Sequence, residues 1–291
     1  MKRIMVATDF SERSDRALRR AALLAKQTDA AVTLVSAVDD DRPKRIVDEE
    51  RRLAEALLSE MSATLRSVDG IECDATVILA EASQAIVRAV HDVAPDLLVL
   101  GPHRRQLFRD VFIGTTAERT IREAPCPILM VNAAPAAPYR HLMMTTDLSD
   151  VSRDAIVSLA RLKLTGSAEQ SILHIYDTPV LRLAMSTELP ENDQDEYAQA
   201  QNASASASLA RFLASAPTPY FAPLVRQEGN KTSHEILATA AEITADLIVM
   251  ATHQKRSLEK RLLGSVTEQV LRNSSIDILV IPPVAKAPGR R

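Results

Sequence analysis

The stretch Leu97–Thr116, LLVLGPHRRQLFRDVFIGTT, decides the fold, and it has an echo at Leu247–Thr267, LIVMATHQKRSLEKRLLGSVT. In each, an apolar run ends in a small residue, a polar basic loop follows, and a Gly-hydroxyl pair opens a second apolar pattern. That order spells a strand, a loop and the start of a helix. Such a helix start suits an anion, because its first N–H groups lack internal partners and its dipole favours negative charge.

Outward from this stretch the chain alternates strand and helix patterns. Before it come a short apolar run Arg3–Ala7, a helical pattern preceded by Asp9 and Ser11 as caps, and a β-branched run Ala31–Val38, apolar on both faces as a covered parallel strand is. A charged amphipathic helix spans Ile46–Val68, with Leu53, Leu57, Met61 and Leu65 spaced by four on its apolar side. Asp74–Leu79, Ser83–Val93 and Asp96–Leu100 read as strand, helix and strand; after the loop, Thr115–Glu123 reads as helix and Ile128–Val131 as strand. Too few units are present to close a barrel, so the pattern predicts an open, doubly wound parallel sheet.

A Pro- and Ala-rich linker, residues 133–139, separates this unit, residues 1–132, from a second at 140–283. The second unit repeats the first with His141–Thr146, Ser171–Tyr176, Pro219–Val225, Leu247–Ala251 and Asp277–Ile281 as strands and Gln199–Ala214, Ser233–Ile243 and Ser265–Arg272 as helices. Asp9 and Asp147 are 138 positions apart (147 − 9), whereas Asp96 and Asp246 are 150 apart (246 − 96). The second copy has therefore gained a net 12 residues (150 − 138), which fall in an exposed loop at Thr178–Glu196 marked by Pro179, Pro190 and the acidic run ENDQDE. Residues 284–291 read as a disordered tail.

Composition narrows the function. Formal charge is −3 and aromatics are 3% with no Trp, which argues against nucleic acid as a partner. No apolar run reaches the ~20 residues that span a bilayer. Two cysteines make no disulfide framework, so a reduced, cytoplasmic protein is expected.

Few residues offer chemistry. Asp9 and Asp147 close the first strand of each unit, where a ligand crevice opens in an open α/β sheet; a turn-forming or capping role explains them equally well. The loops Pro102–Ile113 and Thr252–Leu263 carry net charges of +2 and +3, compatible with phosphate binding or with an ordinary solvated surface. His103 and His253 lack further ligands at metal spacing, and no nucleophile elbow, HExxH or P-loop occurs. An enzyme is not expected.

VATDFSE and TTDLSD, PDLLVLGPH and ADLIVMATH, RDVFIGTTAE and EKRLLGSVTE, and APCPILMVN together resemble the universal stress protein family in tandem form, over both units. The resemblance implies two Rossmann-like domains, each an open five-stranded parallel sheet with helices on both faces, whose last strands pair antiparallel as an internal pseudo-dimer; a further homodimer is compatible with it. It also implies ATP or another adenine nucleotide as ligand, with no metal beyond a nucleotide-bound magnesium ion. Nucleotide-binding members carry glycines at three loop positions. Here these are Gly101, Arg104 and Gly114, followed by Thr115 and Thr116, in the first unit, and Ala251, Gln254 and Gly264, followed by Ser265, in the second. The first unit is thus expected to be the better site and the second a degenerate one. By the same resemblance Asp9 and Val38 would face adenine and ribose, with Asp147 and Tyr176 as weaker counterparts. The damaged glycines leave a nucleotide-free, dimerising interaction scaffold as the alternative.

Overall fold

A computed structural model describes residues 1–102, 115–164, 166–178, 191–216, 220–229, 231–252 and 263–283. Strands β1 (Arg3–Ala7), β2 (Ala31–Val38), β3 (Cys73–Leu79), β4 (Leu97–Leu100) and β5 (Ile128–Met130) alternate with helices α1 (Glu12–Thr28), α2 (Lys44–Ser67), α3 (Ala82–Val93) and α4 (Thr115–Glu123). The second half repeats the plan with β6 (His141–Thr146), α5 (Asp150–Leu162), β7 (Glu169–Tyr176), α6 (Glu191–Ala214), β8 (Ala222–Gln227), α7 (Thr232–Glu242), β9 (Leu247–Ala251), α8 (Ser265–Asn273) and β10 (Asp277–Ile281).

Within each half the strands are parallel, and the halves join into one ten-stranded sheet in the order β3-β2-β1-β4-β5-β10-β9-β6-β7-β8. The seam is the antiparallel pair of β5 and β10, with Ile278 opposite Met130 and Val280 opposite Ile128. The internal pseudo-dimer is therefore a continuous sheet. Pro223 lies in β8, an outer strand, where a missing ladder donor is tolerated.

Strand parity splits the interior in two. Ile4, Val6, Val32 and Leu34 face α1 and α2, and the same core runs on through Val131 and Ile281 to Ile156 of α5 and Leu209 of α6. Met5, Val35 and Leu98 face α3 and α4, and that core runs on to Ile236 of α7 and Val270 of α8. Both cores cross the seam, so neither half buries its apolar surface alone.

Local chemistry sets the element ends. Ser11 caps α1 by accepting from Ser14 N, and Ser149 caps α5 by accepting from Ser152 N. Asp96 accepts from the backbone N–H of Lys2 and Arg3, and Asp246 accepts from those of Arg140 and His141. These repeated acids thus fasten the amino ends of β1 and β6.

Three expectations need correction. The buried side of α2 is Val47, Ala54, Leu58, Ser62 and Leu65, while Leu53 is 62% exposed. A strict spacing of four drifts around a helix of 3.6 residues per turn, so that stripe starts outside the core at Leu53 and reaches it only at Leu65. ENDQDE is helical from Glu191 instead of loop, consistent with acidic residues being favoured at a helix start. The expected strand Pro219–Val225 is observed as Ala222–Gln227, with Tyr220 and Phe221 before it and Pro219 outside the described residues. The remainder of the expected insertion, residues 179–190, and the expected tail, residues 284–291, lie outside the described residues.

Candidate functional site

The chain runs β1-β2-β3 toward one edge and β4-β5 toward the other, so the topological switch lies between β1 and β4. Ligands of open α/β sheets bind beyond the carboxyl ends of the strands at such a point. A cleft of about 440 Å³ opens there. Its apolar lining is Val35 and Ala37 of β2, Leu100 of β4 and Ile86 of α3, among others, and its polar lining is Thr8, Asp9, Ser11, Arg13, Ser14 and Thr116.

The turn after β1 is built by its own side chains. Thr8 Oγ1 accepts from Phe10 N at 3.0 Å, and Asp9 Oδ1 accepts from Ser11 N at 3.1 Å. Between them Phe10 is held at φ 60°, a left-handed conformation unusual for a bulky residue. Burial alone would raise the Asp9 carboxyl, but hydrogen bonds from Ser11 and Ser14 and the charge of Arg13 outweigh it, and the pKa is lowered. Asp9 is therefore both turn-former and an ionised group at the cleft rim.

The second half repeats the turn. Thr146 Oγ1 accepts from Leu148 N, Asp147 Oδ1 accepts from Ser149 N and Ser152 Oγ, and Leu148 takes φ 64°. Its cleft measures about 290 Å³ and is lined by Thr145, Asp147, Leu173, Ile175, Met250 and Thr267, among others.

The sequence-derived residues separate into three groups. Asp9, Gly101 and Thr116 meet at the first cleft and Asp147 at the second. Val38 is packed instead with Val47 and Ala54 beneath α2, and Ala37 takes its place in the cleft. Side chains alternate along a strand, so a reading shifted by one residue lands on the opposite face. Ile175 lines the second cleft where Tyr176, its neighbour on the strand, does not, and of the start of α8 the lining residues are Val266 and Thr267. Gly264 heads α8 with open space where a Cβ would stand. His103, Arg104, Gly114, His253, Gln254 and the side chain of Thr115 lie outside the described residues.

Gly101 has a packing reason of its own. A Cβ there would stand 2.6 Å from the carbonyl oxygen of Arg13 and 3.1 Å from Ser14 N, so glycine alone lets the end of β4 approach the first turn of α1. Arg13 itself was not singled out in the sequence. Four residues after Asp9 on a helix start is the signal that could have found it.

Among the described residues no group of three or more His, Cys, Asp or Glu side chains could hold a metal ion, and no helix is long and apolar enough to cross a membrane.

These features define a class: an α/β protein built twice in one chain, with a cleft at the switch point of each half. The sequence profile of the universal stress protein family matches residues 1–132 and again 138–282, and the chain belongs to that family. A protein of Staphylococcus aureus strain USA300 named as a universal stress protein is 26% identical over 161 residues, covering 51% of this chain and 95% of its own length. Among solved structures, a universal stress protein from Archaeoglobus fulgidus DSM 4304 has a TM-score of 0.68 at 17% identity, covering 96% of this chain and 98% of that one. A protein from Pseudomonas aeruginosa UCBPP-PA14, also named as a universal stress protein, has a TM-score of 0.66 at 17% identity over 98% of this chain and 94% of that one. At such identity the likeness is one of fold.

Proposed function

We propose that this chain is a cytoplasmic, non-catalytic stress-response module of two units, 1–132 and 140–283, joined by 133–139, and that it binds ATP or a related adenine nucleotide in the first cleft. The observation that carries this reading is the difference between the clefts. The first combines apolar lining residues with a cation, Arg13; the second has no Lys or Arg among its described lining residues. An apolar slot beside a cation suits a flat base joined to phosphate. Magnesium would arrive with the nucleotide. The non-catalytic reading rests on Asp9, the carboxylate of the cleft, already serving the turn through Ser11. Two buried, unbridged cysteines support a reducing compartment.

Calorimetry of dialysed, folded protein against ATP tests the proposal, and absence of binding at millimolar nucleotide would sink it.

The nucleotide-free dimerising scaffold remains a second reading. It is favoured by Gly101, whose presence the packing against Arg13 explains without any ligand. Mass spectrometry of small molecules released from freshly purified, heat-denatured protein separates the two, since a co-purifying nucleotide contradicts the scaffold.

A further inference from the structure

Arg13 stands in the first turn of α1 and lines the first cleft, and its guanidinium lies beside Asp9, another lining residue. Its one ion-pair contact among the described residues is Asp9 Oδ2 at 4.0 Å, with the two side chains 36% and 67% exposed. So long and exposed a contact contributes little, which leaves the guanidinium fork to a ligand. The Asp9 carboxyl is meanwhile engaged by Ser11.

The backbone beneath Arg13 is set from behind. Gly101, just after β4, lies against the Arg13 carbonyl, where even a methyl group would collide with it at 2.6 Å. Thr116 and Ala117 of the first turn of α4 line the same cleft. A ligand there meets both a cation and the first turn of a helix.

In the second half both members of the pair change together. Asp9, Ser11 and Ser14 correspond to Asp147, Ser149 and Ser152, so Arg13 corresponds to Val151; Gly101 corresponds to Ala251. Cation and close-approach glycine are replaced at once, in the half whose cleft is smaller.

We propose that Arg13, held in position by Gly101, recognises phosphate in the first cleft and makes it selective for phosphorylated over unphosphorylated adenine compounds. This rests on the nucleotide reading above. A planar guanidinium matches two phosphate oxygens at once, and charge-assisted pairs of this kind are among the stronger hydrogen bonds. Gly101 acts here as a positioning residue, through Arg13.

Calorimetry with ATP and with adenosine on the full chain, comparing wild type, Arg13→Gln, Arg13→Lys and Gly101→Ala, tests the assignment. The wild type should bind ATP more tightly than adenosine. Arg13→Gln should weaken ATP about tenfold or more, the effect of one charge-assisted interaction, with adenosine binding unchanged. Arg13→Lys should recover part of the loss, having the charge without the fork. Gly101→Ala should shift the ratio of ATP to adenosine affinity in the same direction, which a general loss of stability does not do. Unchanged ATP binding in Arg13→Gln, or equal losses for ATP and adenosine, overturns the role of Arg13 while the cleft reading stands. Failure of the wild type to bind either compound overturns both.

Discussion

Arg20 of α1 and Asp277 of β10, 257 residues apart, meet at 3.1 Å with both side chains buried. Asp277 Oδ2 also accepts from Tyr139 OH at 2.6 Å, and its Oδ1 accepts from the backbone N–H of Asn132 and Ala133 at 2.9 Å each. Arg20 donates on to Ala137 O at 2.7 Å and lies over the Tyr139 ring at 4.1 Å. One carboxylate thus ties the first helix, the connection between the halves and the last strand. Burial raises its pKa, against the pull of these donors and of the Arg20 charge.

Removing that carboxylate strands a buried guanidinium. Asp277→Ala should therefore cost about 3–5 kcal/mol of unfolding free energy, and Tyr139→Phe, which keeps the ring but loses the hydroxyl donor, about 1–3 kcal/mol. Urea unfolding followed by circular dichroism measures both. Equal, negligible effects would show that the cluster does not hold the halves together.

The two glycines at the helix and strand ends should respond oppositely. Gly101→Ala places a methyl group 2.6 Å from backbone oxygen and should cost about 1–3 kcal/mol, as overpacking does. Gly264→Ser meets open space and supplies a capping hydroxyl to α8, so it should be neutral or stabilising by a few tenths of a kcal/mol. Thermal unfolding of the two variants side by side gives the comparison.

On α2 the regular spacing of leucines misleads. Leu58, 2% exposed, should cost about 2–5 kcal/mol when cut to alanine. Leu53, 62% exposed, should change stability by no more than about 0.5 kcal/mol when cut in the same way. A comparable loss at both positions would contradict the observed packing of the helix.

Burial pushes the Cys73 thiol up to about 11, against the pull of Arg66, and the Cys126 thiol up to about 12. Neither should react with a thiol reagent at pH 8 in the folded protein, and both should react on unfolding. The sign of the linkage follows. Because the folded thiols hold their protons more tightly than unfolded ones near 9.0, their contribution to stability is complete below that pH and is lost as pH rises toward 11–12. Unfolding measured from pH 8 to 11 should show the decline.

Repetition made much of this readable in advance. The Asp9 and Asp147 turns, the strand-loop-helix stretches at Leu97 and Leu247 and the alternation of apolar patterns are local features, because side-chain period and turn chemistry act over a few residues. They determined the α/β plan, its duplication and the end of the sheet at which a cleft opens.

Three matters needed the folded chain. Whether Ala37 or Val38 faces the cleft depends on strand register, where one step exchanges the two faces. Why Gly101 is glycine depends on how closely α1 crosses the end of β4. That Arg20, Tyr139 and Asp277 form one buried cluster has no echo in the repeat, since the corresponding residues are Ser158 and Pro127 for Arg20 and Asp277. Contacts between residues 257 positions apart leave no periodic trace in a sequence. They arise only when the two halves of the sheet join at β5 and β10 and the chain between them must be covered.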